Sequence, residues 1–150
     1  MPSSHKQSAV FFKGKEILMH VRSALPLLIL LWVISTGAMA EPTSPVAQLA
    51  RFSAEAGRAG VAERGQLFFV SHHGQEWACA SCHGEVPTRS GRHASTGKRL
   101  EPLAPAFNTK SLTDTARVDK WFRRNCKDVL GRECTAGEKA DVLAWLNSLK

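Results

Sequence analysis

The segment WACASCHG, residues 77–84, constrains this chain more than any other part of the sequence. Cys79 and Cys82 are separated by two small residues, and His83 follows directly. One helical turn brings two thiols at this spacing together and projects the next side chain beyond them. C-x-x-C-H is the attachment signature of haem c: the thiols form thioethers with two vinyl groups, and the imidazole binds the iron. The sequence therefore predicts one haem c, covalently bound through Cys79 and Cys82, with His83 as an axial ligand.

Two other chemistries use paired cysteines, and both fit this chain less well. A zinc site needs further ligands at close spacing, and the remaining cysteines, Cys126 and Cys134, do not form a second C-x-x-C pair. A thioredoxin-like redox pair occurs in a βαβ context, whereas residues 41–150 contain almost no alternating β-branched run. Haem attachment is the interpretation we carry forward.

The N-terminal 40 residues have the composition of a secretory leader. A basic start precedes an apolar run, and the small residues up to Ala40 predict cleavage before Glu41. The apolar run is shorter than the roughly 20 residues of a membrane-spanning helix, and an uncleaved anchor is the alternative. Met19 is a candidate for the true start. We expect a signal peptide over residues 1–40 and a periplasmic, soluble haem-binding domain over residues 41–150.

The charge of the expected mature domain is modest. The whole chain carries 20 Lys and Arg against 13 Asp and Glu, a formal net charge of +7 at pH 7. Four of those cations and one of those anions lie in residues 1–40, which leaves +4 for the rest. The basic residues are scattered, so the sequence shows no nucleic-acid-binding patch. A weakly positive surface favours docking to an acidic partner.

Hydrophobic periodicity predicts helices on both sides of the motif. The predicted helices are Pro45–Val61, Ala62–Val70, Thr113–Arg124 with Val118, Trp121 and Phe122 facing inward, and a C-terminal helix. Thr135 and Glu138 form a capping box at the start of the last helix. Its apolar stripe contains Val142, Leu143, Leu146 and Leu149. Three prolines and three glycines predict an irregular loop over Gly84–Lys110.

This order of elements resembles the class I cytochrome c fold, an all-α fold wrapped around a covalently bound haem. In that family the N- and C-terminal helices cross, and the loop after the haem-binding motif covers the haem. The resemblance implies that Gly65 and either Phe68 or Phe69 meet Trp145 at this crossing. It also implies a cytochrome c domain over residues 41–150.

The long loop supplies candidates for contacts with the haem and its ligand. The class I resemblance implies that one proline carbonyl, of Pro102 or of Pro105, orients His83. Three loop cations are candidates for pairing with the haem propionates, although solvated loop charge is an equally good interpretation: Arg92, Lys98 and Arg99.

Class I cytochromes ordinarily use a methionine as the second axial ligand, and the predicted mature domain has none. All three methionines lie in the leader: Met1, Met19 and Met39. The remaining candidates are His72, His73, His93, Lys127 and Asn125. The histidines just before the motif would approach from the same side as His83, and the lysine would have to lose its proton. An asparagine is also a common helix C-cap, which is the alternative role for Asn125.

Three segments, GRHASTGK, EPLAPAFN and WFRRNCKDVLGREC, resemble the sphaeroides haem protein (SHP) family of cytochromes. The similarity extends over residues 71–150. It implies that Asn125 is the iron ligand opposite His83. It also implies that Cys126, next to that ligand, forms a disulfide bond with Cys134.

An asparagine ligand has a consequence for reactivity. An amide oxygen is a hard donor that suits ferric iron better than ferrous iron. Reduction should release Asn125 and leave a ferrous site that binds a diatomic gas such as O₂, NO or CO. The freed amide of Asn125 then offers a hydrogen-bond donor to the gas. The SHP resemblance implies a diheme cytochrome c or a membrane cytochrome b as electron donor, and conversion of O₂ or NO at the iron.

Two other functions remain open at this stage. The chain is a simple electron-transfer cytochrome c if a permanent ligand such as His93 occupies the sixth position. A gas sensor is a weaker alternative, because the sequence has no output domain or coiled coil.

Overall fold

The structure, a computed structural model, describes residues 43–150. The predicted signal peptide and the cleavage before Glu41 lie outside the described residues. The helices are α1 (Pro45–Glu55), α2 (Ala62–Val70), α3 (Cys79–His83), α4 (Thr115–Leu130) and α5 (Ala136–Ser148). The other elements are strands β1 (Gly91–Arg92) and β2 (Arg99–Leu100) and a 3₁₀ turn at Pro105–Phe107. Of the described helices, none is both long and apolar enough to span a bilayer.

The crossing of α2 and α5 organises the fold. At Gly65 the two backbones meet, because a Cβ added there would collide with the carbonyl of Asp141. One turn along α2, the ring of Phe69 packs on Trp145 with centroids 4.9 Å apart, and both residues are buried. The predicted position of Gly65 at the crossing is confirmed, although the backbone it meets is that of Asp141, and of the two phenylalanine candidates it is Phe69 whose ring packs on Trp145.

A buried aspartate, which the sequence analysis did not single out, fastens this crossing. The side chain of Asp141 is 7% exposed and accepts hydrogen bonds from Arg58 at 2.8 and 2.9 Å and from Arg64 at 2.9 and 3.0 Å. The backbone N–H of Val61 donates to the same carboxylate at 2.7 Å. The hydrogen bonds from Arg58, and then those from Arg64, hold the pKa of Asp141 well below its usual range.

Helix α1 packs on α5 through Phe52, which contacts Leu143 in one apolar cluster. The prediction of a helix up to Val61 is wrong, because α1 ends at Glu55. Two residues further on, Gly57 adopts a left-handed backbone with φ of 66°, which a continuous helix cannot contain. The chain then turns, and Val61 becomes the first flanking residue of α2.

Helix α4 is longer than predicted. The side chain of Asp114 caps its start by accepting from the N–H of Arg117 at 2.9 Å, and Gly131 ends it with φ of 70°. Of the three residues predicted to face inward, Val118 is buried and Phe122 is half-buried. Trp121 is 45% exposed and is not part of the packed core, but it lines the cavity described below.

The segment between α3 and α4 is more ordered than its proline and glycine content predicts. Strands β1 and β2 form a short antiparallel ladder that pairs Gly91 with Leu100 and Arg92 with Arg99. A Cβ added to Gly91 would collide with the carbonyl of Cys82, so this hairpin lies directly against α3.

The C-terminal helix begins as predicted. The hydroxyl of Thr135 accepts from the N–H of Glu138 at 3.2 Å, and the carboxylate of Glu138 accepts from the N–H of Thr135 at 2.8 Å. Glu138 also accepts from Arg132 at 2.7 and 2.9 Å. Three residues of the predicted stripe are buried and the last is half-buried: Val142, Leu143, Leu146 and Leu149.

Candidate functional site

Helix α3 is a single turn that contains the C-x-x-C-H motif. It begins where the N–H of Ala78 donates to the hydroxyl of Ser81 at 3.0 Å, and it ends before Gly84, whose φ is 78°. Cys79 and Cys82 are half-buried and not bonded to each other. The β1–β2 hairpin reaches this turn, since the N–H of Ala94 lies 3.2 Å from the sulfur of Cys82.

Burial shifts the pKa of two side chains of the motif, those of Cys79 and His83. It raises the pKa of the Cys79 thiol to about 11. Burial lowers the pKa of His83, and the nearby His93 lowers it further. The lowered pKa favours the neutral imidazole of His83, which is the form that binds a metal.

A cavity of about 710 Å³ opens between α3 and α4. Cys79, Cys82 and His83 line it from α3, and Asn125 lines it from α4. Most of its other lining residues are apolar, among them Phe69, Leu103, Leu112, Val118, Phe122 and Leu146. Its volume lies in the range of cavities that enclose a cofactor or drug-sized ligand.

Asn125 lies within α4 and not at its end. It is half-buried, and the helix continues to Leu130 before Gly131 terminates it. The alternative role of a helix C-cap is therefore wrong for Asn125. Its neighbours one turn away on the same face, Phe122 and Val129, also line the cavity.

Of the other ligand candidates, one lines the cavity and three do not. His93 lines the cavity from the hairpin, with its Nδ1 3.2 Å from the Ser95 hydroxyl. His73 packs on the ring of Phe68 with centroids 4.4 Å apart, and its Nε2 lies 2.9 Å from the Phe68 carbonyl oxygen. The three candidates His72, His73 and Lys127 do not line the cavity.

Cys126, next to Asn125, is bonded to Cys134 at the end of the connection between α4 and α5. Both residues are buried, and their Cα atoms lie 5.5 Å apart. Within residues 43–150, no three side chains of His, Cys, Asp and Glu come together in a way that could hold a metal ion.

The predicted contacts of the long loop are met only in part. Both proline carbonyls accept hydrogen bonds from Asn108. Its side chain donates to the Pro102 carbonyl at 2.9 Å, and the backbone N–H of Asn108 donates to the Pro105 carbonyl at 3.3 Å. Neither proline carbonyl is hydrogen-bonded to His83 among the described residues.

Of the three candidate cations for the propionates, Lys98 lines the cavity. Arg92 donates to the Gly97 carbonyl at 3.3 Å, and Arg99 donates to the Ser90 hydroxyl at 2.8 Å. The sequence analysis missed three further cations of the lining: Lys110, Arg117 and Arg124. Cationic residues recur along α4, and nothing in the sequence distinguishes those that lie at the edge of the cavity from those that face solvent.

The site fits a haem group. Two free thiols at the C-x-x-C spacing, a neutral imidazole, an apolar cavity of sufficient volume and cations at its edge are what a covalently attached porphyrin with two carboxylates requires. Together with the crossing of α2 and α5, this site defines a c-type cytochrome of class I.

Comparisons with known proteins identify the family. A family model described as "Domain of unknown function (DUF1924)" matches residues 55–146. The cytochrome c-type protein SHP of Cereibacter sphaeroides is 46% identical over 123 residues, which cover 79% of this chain and 95% of that protein. The chain belongs to the SHP family of c-type cytochromes. It carries haem c, attached through Cys79 and Cys82.

Solved structures of relatives have the same fold. Oxidized SHP, described as an oxygen-binding cytochrome c, superposes with a TM-score of 0.68 at 46% identity, over 73% of this chain and 100% of that one. Oxidized cytochrome c″ of Methylophilus methylotrophus gives a TM-score of 0.62 at 34% identity, over 71% and 94%. A solution structure of cytochrome c″ is described as giving insights into haem-ligand detachment. The predicted all-α, class I cytochrome c-like fold is confirmed.

Proposed function

We propose that this monohaem cytochrome c binds a diatomic gas, O₂, NO or CO, in its ferrous state, with His83 and Asn125 as the ligands of the ferric state. One observation carries the proposal: α4 presents Asn125 to the cavity that His83 lines from α3. When bound, the haem supplies an iron that cycles between the ferric and ferrous states. The remaining steps depend on the side chains around it.

The amide of Asn125 performs two tasks in this proposal. Its oxygen is a hard donor, which binds ferric iron and is released on reduction. Once released, its NH₂ group can donate a hydrogen bond to the gas, because α4 keeps the side chain at the cavity. Two relatives support a labile ligand: SHP is described as oxygen-binding, and cytochrome c″ is associated with haem-ligand detachment.

Export to the periplasm belongs to the same proposal. The signal peptide over residues 1–40 would be removed near Ala40 and leave the cytochrome c domain over residues 41–150. A disulfide bond such as that between Cys126 and Cys134 forms and persists in an oxidising compartment. An electron donor must reduce the iron, and the family resemblance favours a diheme cytochrome c or a membrane cytochrome b. Turnover of O₂ or NO would make the protein a haem oxidoreductase.

The test compares CO binding in the wild type, Asn125→Ala and His93→Ala after reduction with dithionite. In the wild type we expect a large, fast Soret change on CO addition, because the ferrous site is open. The resting ferric spectrum should change in Asn125→Ala and stay unchanged in His93→Ala. A wild-type ferrous protein that does not bind CO would contradict gas binding, and a wild-type ferric spectrum in Asn125→Ala would contradict the ligand assignment.

Electron transfer with a permanent histidine ligand is the second candidate function. It is supported by the position of His93, which lines the same cavity from the hairpin. The same experiment separates the two functions. In a bis-histidine cytochrome, His93→Ala would change the resting ferric spectrum, and the ferrous wild type would show no Soret change on CO addition.

A further inference from the structure

A polar network joins α1 to the start of α4. Gln48 is 1% exposed, and both ends of its amide are hydrogen-bonded. Its Nε2 donates to the Thr115 hydroxyl at 2.8 Å, and its Oε1 accepts from the Arg51 guanidinium at 2.7 and 3.1 Å. Arg51 also donates to the carboxylate of Asp119 at 2.6 Å. We call these four residues the α1–α4 clamp.

Helix α4 depends on such side-chain links more than the other long helices do. The backbones of α2 and α5 approach closely, and so do those of α1 and α5, but among the described residues α4 makes no comparable backbone approach to another helix. Besides the clamp, Phe122 packs edge-on against Phe52 with centroids 5.6 Å apart, and Val118 joins the same cluster. The bond from Cys126 to Cys134 holds the other end.

We propose that the α1–α4 clamp positions Asn125, by fixing the tilt and register of α4 and hence how firmly the amide is held at the iron. The inference rests on the proposed function, because it takes Asn125 as the ligand. A buried donor that loses its partner is penalised, so α4 cannot slide or rotate at the clamp without leaving the Nε2 of Gln48 unpaired. Asn125 lies about 9 Å along the helix axis from Asp119, so a tilt of about 6° moves it by about 1 Å.

The experiment measures how fast cyanide binds the ferric holo-protein. Arg51→Met removes the guanidinium and keeps an unbranched side chain to cover Phe52, over whose ring Arg51 now lies at 4.0 Å. Gln48→Leu replaces the buried amide with an apolar side chain of similar length. We expect each substitution to raise the cyanide on-rate about fivefold, the change that one ordinary hydrogen bond carries.

A second pair of variants connects this effect to the ligand. Asn125→Ala removes the side chain that cyanide must displace, so its on-rate should rise at least as much. Arg51→Met combined with Asn125→Ala should be no faster than Asn125→Ala alone, because the clamp acts through that residue. Amide hydrogen exchange gives an independent readout: in Arg51→Met, exchange should accelerate in Thr115–Leu130 and not in Ala136–Ser148.

Arg58→Met is the matched control, since it removes an arginine–carboxylate pair of the same chemistry from α5 without touching α4. Its cyanide on-rate should equal that of the wild type. Wild-type rates in Arg51→Met and Gln48→Leu, with Asn125→Ala accelerated, would overturn the clamp's role and leave the proposed function standing. An unchanged rate in Asn125→Ala would overturn the ligand assignment itself. Equal acceleration in Arg58→Met would also overturn the clamp's role, because general loss of stability would then explain the effect.

Discussion

The helix crossing beside His83 and the helix that carries Asn125 are held in place in different ways. At the crossing, the backbones of α2 and α5 touch at Gly65, and Phe69 lies between the ring of Trp145 and that of His83, at centroid distances of 4.9 and 6.2 Å. Helix α4 has no such close approach within the described residues and is held through its side chains, by hydrogen bonds, by the apolar packing of Val118 and Phe122, and by a covalent bond.

This difference matches the tasks proposed for the two sides. A ligand that stays on the iron in both redox states benefits from a support that cannot adjust, and close-packed backbones provide one. A ligand that must leave the iron and return needs a helix held by a few individual contacts, each of which can adjust without unfolding the domain. The comparison therefore predicts that damage to the crossing lowers global stability and leaves ligand exchange unchanged, whereas damage to the α4 restraints changes ligand exchange.

Gly65→Ala should have the largest effect on stability. Its Cβ would collide with the carbonyl of Asp141, so α2 and α5 must separate, at a cost of about 3 kcal/mol. Urea unfolding followed at the Soret band measures the loss, and Gln66→Ala, on the exposed side of the same helix, is the control. A Gly65→Ala protein with the wild-type unfolding midpoint would show that close backbone contact is not what fixes the crossing.

Loss of the bond between Cys126 and Cys134 should rank second. By the chain-entropy estimate, a loop of this length contributes about 2.5 kcal/mol. Because the bond adjoins Asn125, we also expect faster cyanide binding to the ferric protein in Cys126→Ser/Cys134→Ser. Since both cysteines are buried, the double alanine variant separates loss of the bond from burial of two hydroxyls. Ferric spectra and ligand on-rates identical to the wild type would contradict a role of this bond in holding the ligand.

Asp141→Ala should cost about 2 kcal/mol, below the usual range for breaking a buried ion pair, because the two arginines it releases are 43% and 51% exposed. The pKa of Asp141 is held below its usual range by Arg58 and then by Arg64. As the pH falls, the Asp141 carboxylate is therefore protonated in the unfolded chain before it is protonated in the folded one. The stabilisation from its ion pairs is present near neutral pH and is lost as the pH falls below about 4.

Unfolding free energies measured between about pH 7 and pH 3 test this, and the acid limb should be shallower in Asp141→Asn than in the wild type. Cyanide on-rates should not change, because the ion pairs do not touch α4. An acid limb of equal slope in both proteins would assign the pH dependence to other carboxylates.

Local sequence patterns predicted most of the fold. Three predicted features depend on residues only a few positions apart, so the sequence contains all the information needed: the C-x-x-C-H turn, the capping box at Thr135, and Gly65, whose missing side chain allows close helix packing. The end of α1 was missed because its alanine-rich continuation favours helix until Gly57 interrupts it. Helix α4 was predicted too short because only half of its last eight residues are uncharged and the apolar periodicity weakens there, although Gly131 marked the true end.

Long-range polar contacts could not be predicted in the same way. Gln48 reaches Thr115 across 67 positions, and Arg58 reaches Asp141 across 83. Neither pair has a local pattern, since a glutamine or an arginine near an apolar stripe is usually solvated. One feature of the sequence did indicate such a contact. Asp141 is a charged residue between the buried positions Ala140 and Val142, and a buried charge needs a paired charge or hydrogen bonds.

Thr135→Ala should have the smallest effect and sharpens the comparison most closely. Its hydroxyl caps α5 one residue after Cys134, so removal should lower the free energy of unfolding by about 1 kcal/mol. The cap belongs to the rigid side of the molecule although it adjoins the bond that restrains α4. Cyanide on-rates should therefore remain at the wild-type value, while the unfolding midpoint falls. A clear rise in the on-rate would mean that Asn125 senses the start of α5 through Cys134, and the two regions would then have to be treated as one coupled unit.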